Sequence, residues 1–178
     1  MNINQLNGTY VAGEDRILLR VSTDAKDEFR LWLTRAIAGE LLGAIRGAAA
    51  QAIAQKYPPE LAQTVAEFEQ QAVQAETRFD RQYLPGASLP LGEAPALVLK
   101  AAAAGKENGL ALGLTLQNGK KVDLWLPCRL AQQVGVLIDR LQKNANWGLD
   151  QPVAPGPASG DAGETGTADA AREKKLMH

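Results

Sequence analysis

The chain has 178 residues, with 19 lysines and arginines against 20 aspartates and glutamates, one cysteine and one histidine. A single thiol excludes an internal disulfide framework. The only histidine is the last residue, His178, so the body of the chain has none for a Ser-His-Asp or Cys-His arrangement or for a Cys/His zinc site.

The formal charge of −1 argues against a protein whose main task is coating duplex nucleic acid, which takes a strongly basic domain. No Asp-x-Asp-x-Asp-Gly calcium loop is present, and the run Gly105–Gly109 lacks the spacing and the Lys-Ser/Thr ending of a P-loop. The expectation is therefore no catalytic residue, no cofactor and no metal. Met1–Leu6 has no basic region leading into an apolar one, so the expected compartment is the cytoplasm. Ala36–Ala54 matches a membrane span in length, but Glu40 and Arg46 cost roughly 2.5–3.5 kcal/mol each near a bilayer centre, and a helix outside the membrane is expected.

In chain order, a strand is expected around Leu6–Ala12. A hairpin follows, because Ile17, Leu19 and Val21, then Phe29, Leu31 and Leu33, alternate with polar positions. The next segment is a helix whose Ile37, Leu41 and Ile45 share one face. Tyr57-Pro58-Pro59 breaks it, and Pro59 suits the first turn of a second helix carrying Leu61, Val65, Phe68, Ala72, Ala75 and Phe79 on one stripe. That stripe should face inward as the helix folds back antiparallel on its predecessor. Pro85–Pro90 forms a connection, and another strand is expected around Ala96–Ala104. A second hairpin and helix follow, ending near Trp147-Gly148. Residues 151–178 are rich in Pro, Gly, Ala, Ser, Thr and charge, and cannot bury enough surface to offset their ordering entropy, so they read as a disordered tail.

The two hairpins read as copies. Trp32 and Trp125 lie 93 positions apart, and the same offset places Leu31-Trp32-Leu33 on Leu124-Trp125-Leu126. It also places Ile17, Leu19 and Val21 on Leu110, Leu112 and Leu114, and Ile37, Ala38, Leu41 and Ile45 on Leu130, Ala131, Val134 and Ile138. A two-residue Asn118-Gly119 turn puts Leu114 opposite Asp123 and throws the apolar faces out of step. A three-residue loop, Gln117–Gly119, with Gly119 left-handed, instead pairs Leu114 with Val122 and Leu112 with Leu124. Carried to the first copy, this register pairs Val21 with Phe29 and Leu19 with Leu31. The reading is one α+β domain over residues 1–150: copy one about 6–55, an inserted helix about 59–83 and copy two about 96–147, with the tail at 151–178.

Three features could carry function. Gly39, Gly43 and Gly47, with Ala36, Ala50 and Ala54, form a small-residue stripe on the first helix. Each glycine costs roughly 1 kcal/mol against alanine, so a close approach is expected there, either by the next helix of the same chain or by a second protomer. On the outward sheet face, Arg20 falls opposite Arg30 and Leu18 opposite Trp32, while Trp125 faces Ala111 in the other copy. Like charges opposite each other want an anion, and rings beside arginines can stack unpaired bases; the plainer expectation is that Glu14 and Glu28 neutralise the arginines and a helix covers the tryptophans. Cys128 follows Pro127 at a helix start, where the dipole can activate a thiol, but with no histidine near it in sequence it reads as an ordinary small residue. Together these features point to a non-catalytic interaction protein that self-associates and binds a protein partner, with no membrane role. The alternative is a single-stranded nucleic-acid binder using Arg20, Arg30, Trp32 and Trp125.

Overall fold

Period-two alternation of apolar residues sets the strands. The computed structural model describes residues 3–77, 83–106 and 108–149. Its elements are β1 (Ile3–Val11), β2 (Arg16–Thr23), β3 (Glu28–Leu33), α1 (Arg35–Lys56), α2 (Pro59–Glu76), β4 (Ala96–Lys106), β5 (Gly109–Leu116), β6 (Lys121–Pro127) and α3 (Cys128–Asn144). This is an α+β fold. The strands form one six-stranded sheet in the order β1-β2-β3-β4-β5-β6. Neighbours are antiparallel except β3 and β4, which run parallel through Leu31–Ala96 and Trp32–Leu97.

Both hairpin registers agree with the sequence. Val21 pairs with Phe29, Leu19 with Leu31 and Arg20 with Arg30, while Leu114 pairs with Val122 and Leu112 with Leu124. Gly119 closes the second turn at φ +78°, which a residue with a Cβ rarely adopts. The register sends Ile17, Leu19, Leu31, Leu33, Leu110, Leu114 and Leu126 to one face. There they are buried against Ile37, Leu41 and Ile45 of α1 and Val134, Ile138 and Leu141 of α3. Full burial of such a side chain contributes roughly 1.5–3 kcal/mol, so this face holds the domain together.

Local signals set the helix ends. Thr34 Oγ accepts a hydrogen bond from the Ile37 N–H at α1's start. At its end Pro58 forces Tyr57 into an extended conformation. The helices α1 and α3 meet where Ile45 packs on Gly135 and where Arg46 Nη2 lies 2.9 Å from Asp139 Oδ1. After α3, Trp147 is buried. Its ring meets Tyr10 edge-on at 5.7 Å, and its Nε1–H donates to Asp15 Oδ1 at 2.8 Å in the β1–β2 turn.

The helix α2 packs against α1, as the hairpin expectation has it, and against α3 as well: Gln132 Nε2 of α3 donates to Glu69 Oε2, and Arg129 of α3 pairs with Glu76. One expectation fails. The inward face of α2 is rotated about one residue from the expected stripe. Val73 is the buried residue, while Leu61 and Phe68 point outward, 52% and 72% exposed. The layer beneath is already filled by Ile45 and Ile53, and close approach suits Ala62, Ala66 and Val73 better than a phenyl ring. Phe79 and the expected tail, 151–178, lie outside the described residues.

Candidate functional site

Two surfaces carry the residues that the sequence singles out. The first is the outward sheet face. Arg20 and Arg30 stand opposite each other, with Leu18 opposite Trp32 beside them, so these residues do come together. Trp125 does not join them: it sits opposite Ala111 on β6, three strands away from Trp32 in the sheet order. Both indoles are half-buried.

Among the described residues no helix covers the arginines. The irregular stretch 83–95 between α2 and β4 crosses this face as a strap. The Leu84 N–H donates to Gln5 Oε1 of β1, the Tyr83 ring lies 4.9 Å from the Arg20 guanidinium on β2, and the Gly86 N–H donates to Glu28 Oε2 of β3. A Cβ on Gly86 would stand 2.7 Å from the Lys26 carbonyl oxygen and 2.8 Å from Glu28 Cβ, so only glycine permits this approach. The strap then pairs along the edge of β3 through the Glu28 N–H to the Ser88 carbonyl.

Of the two carboxylates expected to neutralise the arginines, only Glu28 does so. It is 1% exposed and accepts from Arg30 Nε at 2.7 Å. Burial alone pushes its carboxyl up, but the bonds from Arg30 and from the Gly86 N–H, with the charges of Arg30 and Arg20, outweigh burial and hold it below the ordinary glutamate value. Glu14 pairs with Arg16 instead. Arg20 has neutral partners, Asn7 Oδ1 at 2.8 Å and the Tyr83 ring. Burial is also what raises the Tyr83 phenol above its usual value. The strap cluster was not legible in the sequence, because Gly86 lies 58 positions from Glu28 and no motif joins them.

The second surface is the helical layer. Of the two occupants the sequence leaves open for the small-residue stripe, the chain's next helix or a second protomer, α2 does not reach Gly43 or Gly47 among the described residues. A Cβ on Gly43 or Gly47 would meet nothing within 4 Å, and one on Gly39 would meet only Leu149 Cδ2 at 3.5 Å. On α2, the outward turn of Leu61 and Phe68 adds large apolar side chains to the exposed surface. Between the three helices runs a groove of about 250 Å³ lined by Leu42, Ala49, Ile53, Ala66, Val73 and Val136. Charge is divided across the hairpin: α1 carries Arg35, Arg46 and Lys56 against Glu40, whereas α2 carries Glu60, Glu67, Glu69 and Glu76 with no lysine or arginine.

A wider cleft of about 600 Å³ lies beyond the C-terminal half of α1. It has Ile53, Val73 and Leu110 on its floor and Lys56, Lys106 and Cys128 at its rim. Cys128 is an exposed free thiol. Among the described residues no helix is long and apolar enough to cross a membrane. Compared with protein-family models, with curated proteins and with solved structures, the chain matches none.

Proposed function

We propose that this chain is a non-catalytic interaction protein of the cytoplasm that associates with a second copy, and takes a protein partner, through its helical layer. The observation that carries this reading is the outward face of α2. A helix that turns Leu61 and Phe68 to solvent and its smaller residues inward forgoes roughly 1.5–3 kcal/mol for each large side chain, unless a partner covers them. The open glycine stripe of α1 supplies a matching surface, with small residues for large ones and a net basic helix for an acidic one. The two carboxylates held below their ordinary values, Asp15 and Glu28, are both engaged in structural hydrogen bonds. A general acid near neutrality needs the opposite shift.

Sedimentation equilibrium tests the reading on the wild-type chain, on Leu61→Gln with Phe68→Gln, and on Gly43→Leu. The expected result is a dimer for the wild type and at least a tenfold weaker association for each variant, with helicity unchanged. A wild-type chain that stays monomeric at high concentration and retains no partner at this face refutes it.

A second reading, binding of single-stranded nucleic acid, is favoured by one arrangement: Arg20 and Arg30 lie beside a half-exposed Trp32. Its test is tryptophan quenching by a short single-stranded oligonucleotide at low and physiological salt. Saturable quenching that fades with salt and disappears in Arg20→Ala/Arg30→Ala supports it, and a flat response at low salt removes it.

A further inference from the structure

The sheet has an open edge inside its strand order. Of the 11 residues of β4, Ala96 and Leu97 pair with β3, which then leaves the sheet for α1; from Val98 to Lys106 the strand pairs with β5 alone. This free length is about 30 Å, and every second residue along it turns its N–H and C=O to the vacant side. Among the described residues no backbone bond outside the ladder reaches Leu99–Lys106. The register places Ala101, Ala103 and Gly105 on the helix side, opposite Leu114, Leu112 and Leu110, and Ala102, Ala104 and Lys106 on the outward side. All of these but Ala101 are exposed, so neither face of the strand is covered there. A bulge at Val98–Lys100 and a lysine at each end blunt the edge, but Ala101–Gly105 carries neither charge nor proline, the usual guards against pairing.

Charge and shape select the occupant. Lys100 and Lys106 bracket the run, and neither has an acidic partner among the described residues. The antiparallel pairing of two copies that uses the whole run, centred on Ala103, sets Lys100 opposite Lys106 at both ends, which is unfavourable. Where the edge ends, Gly105 and Lys106 border the cleft floored by Ile53, Val73 and Leu110. We propose that β4, from Lys100 to Lys106, takes an extended acidic segment of a partner protein as an added strand. The backbone of that segment fills the vacant donors and acceptors, its carboxylates meet the two lysines, and an apolar side chain beside Gly105 enters the cleft. The carboxylates near the cleft, Glu69 and Glu76, are held by Gln132 and Arg129. This edge is separate from the outward Leu61 and Phe68, so it does not depend on self-association.

The probe is a fluorescein-labelled heptapeptide, Asp-Leu-Thr-Val-Thr-Leu-Asp, whose order is the same from either end and so serves both strand directions. Its carboxylates are six positions apart, as Lys100 and Lys106 are. The expected result is saturable binding to the full chain by fluorescence anisotropy, at least tenfold weaker when lysine replaces both aspartates. Hydrogen–deuterium exchange should find alternate amides of Ala101–Lys106 unprotected in the free chain and protected with the acidic peptide. Lys100→Glu combined with Lys106→Glu should reverse the preference, and that gain of binding to the lysine peptide does not come from misfolding. Leu61→Gln with Phe68→Gln should bind the acidic peptide as the wild type does, which separates this edge from self-association. No protection of β4 at high peptide concentration overturns the proposal, as do Ala101–Lys106 amides that all exchange slowly in the dilute free chain. A preference for the acidic peptide that survives the charge reversal also overturns it, because the peptide is then held elsewhere.

Discussion

Replacing Gly43 and Gly47 by alanine should stabilise the isolated chain. Both sit inside α1, where glycine costs about 0.8–1 kcal/mol against alanine through backbone entropy. A Cβ at either position meets nothing within 4 Å, so no steric cost offsets that gain. The substitutions are one helical turn apart on an open face and should be close to additive, for a combined gain of about 2 kcal/mol. For a chain of 178 residues this corresponds to a rise in Tm of roughly 4–8 °C. Urea unfolding at low protein concentration, followed by far-ultraviolet circular dichroism, reads the monomer term. Gly39→Ala is the internal control: its Cβ lies at ordinary contact distance from Leu149, so it should gain a similar amount. A loss of stability in Gly43→Ala under dilute conditions refutes the reasoning, since some part of the same chain must then press on the stripe.

Acid should act through Asp15 and Glu28. The bonds from Trp147 and then Tyr10 hold Asp15 below its ordinary value, and Glu28 is held low by Arg30 and Gly86 against its own burial. A depressed folded pKa gives stability that is complete above the unfolded value, about 4, and is lost as pH falls through the folded values, so acid unfolding followed by tryptophan fluorescence should set in below about pH 4. A midpoint well above pH 5 contradicts this. Trp147→Phe keeps a ring against Tyr10 but removes the donor, so the Asp15 carboxyl should titrate closer to its ordinary value by NMR; an unchanged titration contradicts the assignment. Glu28→Gln leaves Arg30 without its carboxylate, and should cost about 1–3 kcal/mol in urea unfolding. No loss in that variant shows that the strap is not anchored there.

The sequence makes the sheet legible because the relevant signals are local. Ile17–Val21 and Phe29–Leu33 alternate with period two, and Gly119 with its loop length leaves one register that keeps Leu112 and Leu114 facing inward. The stripe of α1 is equally plain in the sequence, but what covers it is not, since that depends on where α2 crosses. The stripe of α2 was misread for the same reason. Helical spacing identifies Leu61, Val65 and Phe68 as one face, but cannot say whether that face meets the chain's own core. Strand order was illegible because β3 and β4 pair across two helices, through Leu31 and Trp32. The strap over Arg20 and the Trp147–Asp15 bond join residues far apart in sequence, with no motif to mark them. Glu28 alone was foreseeable, since its neighbour two positions on is Arg30.

The measurement that tests the central claim most directly is hydrogen–deuterium exchange of the wild-type chain at dilute and at high concentration. The account predicts that added protection on concentration falls on α2 around Leu61–Ala72 and on α1 around Gly43–Ala50, while the β2–β3 hairpin is unchanged. Exchange that does not vary with concentration, or new protection confined to the outward sheet face, contradicts it.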